Sequence, residues 1–228
     1  MREIILDTET TGLDPLNGDR VVEIGCVVLI NRVPNGETFH QYLNPERPMP
    51  PEAERVHGLS DAFLADKPLF SDIVDAFLAF VGDDAIVAHN APFDFGFLNA
   101  ELARHGRSPL ARERMIDTRE IAKARFPGAK ASLDALCTRF NIDRSARVKH
   151  GALLDAELLA AVYLELTGGR QQTFDLSAAV EAEQQTQIAV MMSDRPYREP
   201  RVFEPNADEL AAHAAFVAKL NNPIWTRT

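Results

Sequence analysis

The stretch Ile4-Ile5-Leu6-Asp7-Thr8-Glu9-Thr10-Thr11-Gly12 runs from an apolar strand pattern into two carboxylates one residue apart and then a Thr-Gly turn. Side chains alternate across a strand, so residues i and i+2 leave the same face and Asp7 and Glu9 are aimed together from its carboxyl end. Like charges at that spacing repel unless a divalent cation neutralises them or one carboxyl stays protonated. An isolated Asp-x-Glu is commonly no more than an acidic strand end. The metal reading gains weight only where other acids converge on the same point.

Two further clusters supply such acids. Ala85-Ile86-Val87-Ala88-His89 has the pattern of a short buried strand, and Asn90-Ala91-Pro92-Phe93-Asp94 then starts a helix, with Asn90 as N-cap and Pro92 in the first turn, where its missing N–H costs nothing. Asp94 thus falls in the first turn of a helix that follows a strand, a position that also suits an acid placed only for the helix dipole. Phe95 and Phe97 read as core, with Phe93 the exception that could stack on a ligand. In Lys149-His150-Gly151-Ala152-Leu153-Leu154-Asp155, a helix runs on to about Leu166 and stops at Gly168-Gly169. Five helical steps turn a side chain by about 140°, so His150 is expected on the loop before the helix, folding back over a site that Asp155 reaches from its first turns.

Asp7-x-Glu9, Asp94 in His89-Asn90-Ala91-Pro92-Phe93-Asp94, and His150-x4-Asp155 resemble, in order, the three motifs of the DEDDh 3′→5′ exonucleases. Val56-His57-Gly58, Ser132-Leu133-Asp134-Ala135-Leu136-Cys137 and Thr167-Gly168-Gly169 extend the likeness to the proofreading subunits of bacterial replicative DNA polymerases. It is dense from about Arg2 to Arg170 and loose beyond. Pro92 stands where alanine is expected, harmlessly at a helix start. The resemblance implies two divalent ions, Mg²⁺ or Mn²⁺, on Asp7, Glu9, Asp94 and Asp155, with Asp7 bridging both, and His150 as general base. Hard oxygen ligands suit those ions, and an unperturbed imidazole titrates near neutrality. It also implies contacts to the terminal nucleotide from Glu52 and His57, within a substrate-binding set that adds Asp7, Thr8, Glu9, Asn90, Phe93 and Asp155.

The order of elements is consistent with a ribonuclease H-like α/β fold, a mixed five-stranded sheet flanked by helices. Strands are expected over about Glu3 to Thr8, Arg20 to Ile30 and Glu37 to Leu43, with Asn17-Gly18-Asp19 and Val33-Pro34-Asn35-Gly36 as turns. Helix Phe70 to Val81, strand Ala85 to His89, helix Phe93 to His105, strand Met115 to Asp117, and helices Thr118 to Ala124, Ser132 to Asn141 and Leu153 to Leu166 follow. Hairpin spacing makes the first three strands antiparallel. The acids then gather at the open end of the sheet.

The 228 residues divide into a domain over 1–170, a Gln-, Glu-, Ser- and Pro-rich linker over 171–205 and a helical tail over 206–228. Gln172-Thr173-Phe174-Asp175-Leu176 resembles the short peptides that dock on sliding clamps, with Gln172, Phe174 and Leu176 as contacts. The tail places Leu210, Ala214, Val217 and Ala218 on one stripe and adds Trp225, a combination suited to docking on the polymerase catalytic subunit. A small accessory subunit joins the partners that the resemblance implies. Cys26 and Cys137 have no metal spacing and read as buried thiols of a reducing cytosol. No leader precedes Asp7, and the apolar run from Val21 to Ile30 is interrupted by Glu23 and too short to span a bilayer, so a soluble cytoplasmic protein is expected.

A net charge of −10 argues against a chain that grips nucleic acid strongly by itself. Between Arg104 and Lys149, however, twelve basic residues face five acids, a run that either lines the approach of a strand or forms solvated helix faces. Two alternatives to the proofreading enzyme stay open. One is an RNA-trimming DEDDh nuclease. The other is a mainly structural subunit that ties a polymerase to its clamp.

Overall fold

Ile4 and Leu6 leave one face of the first strand and Ile5 the other, and all three are fully buried. A strand buried on both faces belongs in the middle of a covered sheet. In the computed structural model, which describes residues 1–145, 147, 149–168 and 204–220, that strand is β1 (Arg2–Thr10). It pairs antiparallel with β2 (Val21–Ile30) and parallel with β4 (Ala85–Ala88); β3 (Val33–Tyr42) lies antiparallel outside β2, and β5 (Met115–Asp117) parallel outside β4. The sheet order is β3-β2-β1-β4-β5, the expected mixed five-stranded sheet.

Helices α1 (Pro51–His57), α2 (Asp61–Leu64) and α3 (Phe70–Val81) connect β3 to β4. Helix α4 (Ala91–Arg104) crosses from β4 to β5, and α5 (Thr118–Arg125), α6 (Leu133–Arg139) and α7 (Ala152–Leu166) follow. Phe77 of α3 and Phe97 and Leu98 of α4 pack on Ile4, Leu6 and Ile24. Leu159 and Tyr163 of α7 cover Ile5, Val27 and Leu29 on the other face, and α5 and α6 close against α7 through Ala122, Leu136 and Val162. The chain leaves β1 toward one edge of the sheet and returns to β4 on the other side. The carboxyl ends of β1 and β4 therefore flank a topological switch point, the place where open α/β sheets present their ligand sites.

The β2–β3 turn is not where the turn-forming residues predict it. The chain reverses at Asn31-Arg32, with φ of 50° and 67°, and Val33 already pairs with Ile30. A two-residue hairpin favours positive φ at both central positions. Arg32 is held there by tertiary structure, since its guanidinium donates to the Thr167 carbonyl at 3.0 Å, at the end of α7. The short helix α1 escapes the strand and helix patterns because Pro48, Pro50 and Pro51 read as loop. Pro51 in fact opens α1, and Gly58 at φ 80° closes it.

Gly25 sits beside Asp7 in the β1–β2 ladder, where β2 meets the start of α7. A Cβ at this position would lie 2.3 Å from the backbone of Ala152 and Leu153. Gly25→Ala should therefore push α7 off the sheet, lowering stability by about 3 kcal/mol and the melting temperature by roughly 6–12 °C. Activity should fall with it, because the displaced turn carries Asp155. A thermal melt and rate matching the parent protein would show that α7 yields freely.

The described residues form two units, and the second holds the tail. Here α8 (Ala207–Val217) begins at Asn206, whose side chain accepts from the Glu209 N–H at 2.8 Å while the Glu209 carboxylate accepts from the Asn206 N–H at 3.0 Å. This reciprocal cap accounts for a helix starting at that point. Leu210 and Phe216 are exposed and Val217 is half-buried. Gln172, Phe174, Leu176 and Trp225, with the 171–205 linker up to residue 203, lie outside the described residues. Among those that are described, no helix is long and apolar enough to cross a membrane.

Candidate active site

Residues Asp7 and Glu9 point from the carboxyl end of β1 toward the face that α7 covers, as period two requires. Thr8 points the opposite way, and its hydroxyl donates to Asp94 Oδ1 at 2.7 Å. That bond ties the first turn of α4 to β1 and brings the third acid in; Asp94 is buried. The fourth, Asp155, is buried in the first turn of α7. All four sequence-predicted acids are thus brought together at the switch point.

His150 lies on the loop before α7, where its N–H donates to the Val56 carbonyl at 3.3 Å. Sequence reasoning counted Arg147, its neighbour, only among the basic run. Its guanidinium grips Asp155 with both sides of the fork, Nε to Oδ1 at 2.5 Å and Nη2 to Oδ2 at 2.6 Å, and Nη1 donates to Asp134 Oδ1 at 2.7 Å. Nη2 also lies 2.7 Å from His150 Nδ1. An arginine nitrogen can only donate, so Nδ1 is the acceptor in this contact. Asp155 Oδ2, 3.2 Å from the same nitrogen, is the partner for a protonated ring once the guanidinium moves.

Electrostatically the cluster is overloaded with negative charge. Burial, then Asp94, Glu9 and Asp155, push the Asp7 carboxyl well above the usual range. Burial, then Asp155 and Glu23, raise Glu9 to about 8. Burial raises Asp94 to about 7, against the opposing hydrogen bond from Thr8. Asp155 alone goes down: burial works to raise it, but His150 and Arg147 outweigh that effect. Glu23 is a second residue that pattern-reading passed over, although it was visible as the one acid in an apolar strand. It faces Glu9 directly across the β1–β2 ladder and is buried against His40 Nε2 at 2.7 Å.

Oxygen donors packed this densely against one guanidinium fit divalent cations, and among the described residues Glu9, His150 and Asp155 bring ligand atoms within 4.8 Å of one another. A stability consequence has a definite sign. Glu9 and Asp94 hold protons in the folded state that the unfolded chain has released, so stability is highest below about pH 4.5 on their account and is lost as pH rises through 7 to 8. Without metal, the melting temperature should fall as pH rises from 5 to 8. Saturating Mn²⁺ should restore it, more at pH 8 than at pH 6. A metal-free melting temperature that climbs over this range would contradict the crowding of these acids.

Two cavities open on either side of the acids. One, of about 540 Å³, is walled by Leu13, Pro50, Ala53, Val56 and Phe93 and edged by Glu52 and His57. His57 is buried as the last residue of α1; its Nδ1 accepts from the Leu59 N–H at 3.0 Å, which leaves Nε2 buried without a hydrogen-bond partner among the described residues. Burial lowers the His57 pKa and keeps the ring neutral. Glu52 is exposed. The other cavity, of about 490 Å³, reaches from Asp7, Asp155 and His150 to α5.

Asn90 corrects one expectation. It occupies the N-cap position of α4, but at φ 71° and with no side-chain cap bond. Its side-chain oxygen instead accepts from Arg119 at 3.1 Å, and its N–H donates to Asp117 Oδ1 at 3.0 Å. Asparagine tolerates that left-handed backbone, which lets the two ties form. The basic run also divides. Arg104, Arg107, Arg114 and Arg125 are spent on structural carboxylates and carbonyls. Arg119, Lys123 and Arg147 line the second cavity.

The chain matches the Exonuclease (RNase_T) family over residues 4–163. It is 48% identical over 223 residues to the DNA polymerase III subunit epsilon of Rickettsia felis, an alignment covering 96% of this chain and 97% of that protein. Its fold is similar to that of exonuclease X in complex with 5′ overhanging duplex DNA, at TM-score 0.59 and 29% identity, over 72% of this chain and 90% of the other. The nuclease domain of 3′hExo, a DEDDh family member bound to rAMP, superimposes at TM-score 0.63 and 18% identity, over 75% of this chain and 94% of that domain. The ribonuclease H-like sheet expected from the sequence is the fold found.

Proposed function

This chain belongs to the exonuclease family, in its DEDDh branch, and from that premise we propose that it removes mispaired nucleotides from DNA 3′ ends as the proofreading subunit of a replicative polymerase. The convergence of Asp7, Glu9, Asp94 and Asp155 beside His150 carries the reading. Two divalent cations, Mg²⁺ or Mn²⁺, held by these four carboxylates would neutralise charge on the phosphoryl oxygens and supply activated water. His150 acts as general base: its neutral ring takes the proton of the attacking water and, once charged, is paired by Asp155 3.2 Å away. Arg147 supplies positive charge to Asp155 in the resting site. Phe93 offers the terminal nucleoside a stacking face in the apolar-walled cavity, with His57 and Glu52 at its edge.

Similarity to the Rickettsia protein covers 96% of this chain and so extends well past the catalytic match that ends at residue 163. That favours a polymerase subunit over a free-standing RNA-trimming nuclease, which has no need of the tail. Digestion of matched, mismatched and RNA-ended primers, with and without Mg²⁺, tests the reading. Release of 5′-mononucleotides should require the metal and run fastest at a frayed mismatch. Activity confined to the RNA-ended primer would sink the proofreading role.

Division of labour along the chain is a separate expectation. A fragment of residues 1–170 should degrade single-stranded 3′ ends at near the full rate yet fail to capture the polymerase catalytic subunit. Residues 206–228, with Leu210, Val217 and Trp225, should capture it, and Trp225→Ala should cost about 2 kcal/mol or more. Gln172→Ala with Leu176→Ala should weaken only the sliding clamp. Pull-downs in which residues 1–170 alone hold the polymerase would assign the tether elsewhere.

A further inference from the structure

The acids stand on the divide between two cavities of opposite character. The cavity on the Phe93 side is walled by apolar side chains, whereas the one on the α5 side presents Arg119 and Lys123. We propose that the α5-side cavity is a binding site for the phosphodiester backbone of a single strand, seating the phosphate one nucleotide upstream of the bond being cut. The proposal rests on the exonuclease reading of the acids and gives the strand its direction. Base and sugar of the terminal residue fill the apolar side, the scissile phosphate lies over the carboxylates, and the rest of the strand leaves past α5.

Chemistry on each side supports this polarity. A base has a π-face that every apolar or aromatic wall accommodates. A backbone phosphate needs cations, and the acid cluster cannot provide them. Arg119 is built into position. Its backbone N–H donates to Asp117 Oδ1 at 2.9 Å, and one guanidinium nitrogen donates to Asn90 Oδ1 at 3.1 Å, leaving the remaining donors of the fork for a ligand. The left-handed turn at Asn90 is what brings its side chain to Arg119. Lys123, one turn along α5, is paired with Glu120, at 2.6 Å in an exposed i,i+3 pair. Such a pair is worth little and can be exchanged for a phosphate. Asp134, the carboxylate on the far wall, is already engaged by Arg144 and Arg147. Arg119 and Lys123 therefore set positive charge beside the acids, without a large basic surface.

Three substrates separate the site from the chemistry. The p-nitrophenyl ester of thymidine 5′-monophosphate carries only the terminal nucleoside and the scissile phosphate. The dinucleotide TpT adds a nucleoside, and pTpT adds the upstream phosphate. In the full-length protein with Mn²⁺, Arg119→Gln with Lys123→Gln should raise KM for pTpT and longer strands about tenfold at low salt, while KM for TpT and turnover of the ester change less than about twofold. The slope of log KM against log salt for a long strand should also shrink by roughly 0.7 for each phosphate the variant no longer neutralises. Arg119→Lys with Lys123→Arg should keep most of the affinity, which a folding defect would not allow. Unchanged KM for pTpT in the glutamine double variant overturns the proposal, and so does an equal loss on all three substrates. If the parent protein cleaves neither the ester nor any oligonucleotide, the exonuclease reading itself has failed.

Discussion

Asp7→Asn will lower the rate of DNA 3′-end hydrolysis by at least about 10³-fold, equivalent to roughly 4 kcal/mol of transition-state stabilisation. Asp7 feels each of the other three carboxylates, and it stands where β1 meets the first turn of α7. On the proposed mechanism it is one of the four carboxylates that would hold the cations, so removing its charge should disable the site. Asparagine keeps the shape and leaves the β1–β2 ladder undisturbed. The same substitution should raise the melting temperature of the metal-free protein at pH 8, because it removes a carboxyl that burial and its neighbours resist ionising. Activity and stability would then move in opposite directions, as expected of a group retained for function at a cost to the fold. The measurements are single-turnover digestion in saturating Mg²⁺ and a thermal melt in chelator. Retention of more than about a tenth of the parent rate contradicts direct ligation, since losing a required metal ordinarily costs several kcal/mol.

Much of this site was legible because strand and helix periods decide which side chains meet. Period two in Asp7-Thr8-Glu9 places two acids on one face and Thr8 on the other, and the structure adds that Thr8 uses its hydroxyl to fasten Asp94. Divergence within a helix put His150 off α7, and it is off α7. Elements bounded by clear changes of pattern, such as α3 at Phe70–Val81 and β5 at Met115–Asp117, fall where expected.

What the sequence concealed are contacts between residues far apart in the chain. The hairpin turn sits at Asn31-Arg32 because Arg32 has a distant carbonyl to bind, a reason invisible to local turn chemistry. Asn90 has the right type for a cap but turns its side chain to Arg119, which only folding brings near. Arg147 is one of twelve cations in its stretch, and nothing local marks it as the one that closes on Asp155 and His150.

His150→Ala should cut turnover by roughly 10²–10⁴-fold, the usual worth of a positioned proton acceptor, while leaving Mn²⁺ affinity largely intact. The two effects separate because the carboxylates that would hold the cations remain. In the parent enzyme the rate should rise with pH through the imidazole range and then level off; in the variant that rise should vanish. Metal-bound water titrates in a similar range, so the comparison has to be made in both Mg²⁺ and Mn²⁺, whose waters differ in acidity while the histidine does not. Arg147 sharpens the test. In the resting site its Nη2 occupies the lone pair of His150 Nδ1 and its fork occupies Asp155, so base and ligand are blocked by one side chain. Cations entering beside Asp155 would repel that guanidinium, and its departure would free both groups together. Arg147→Gln should accordingly bind Mn²⁺ more tightly by calorimetry and keep the pH dependence, whereas His150→Ala should do neither. If the alanine variant retains the parent pH profile, the proton goes to another group, and the approach of His150 to Asp155 has only a structural part to play.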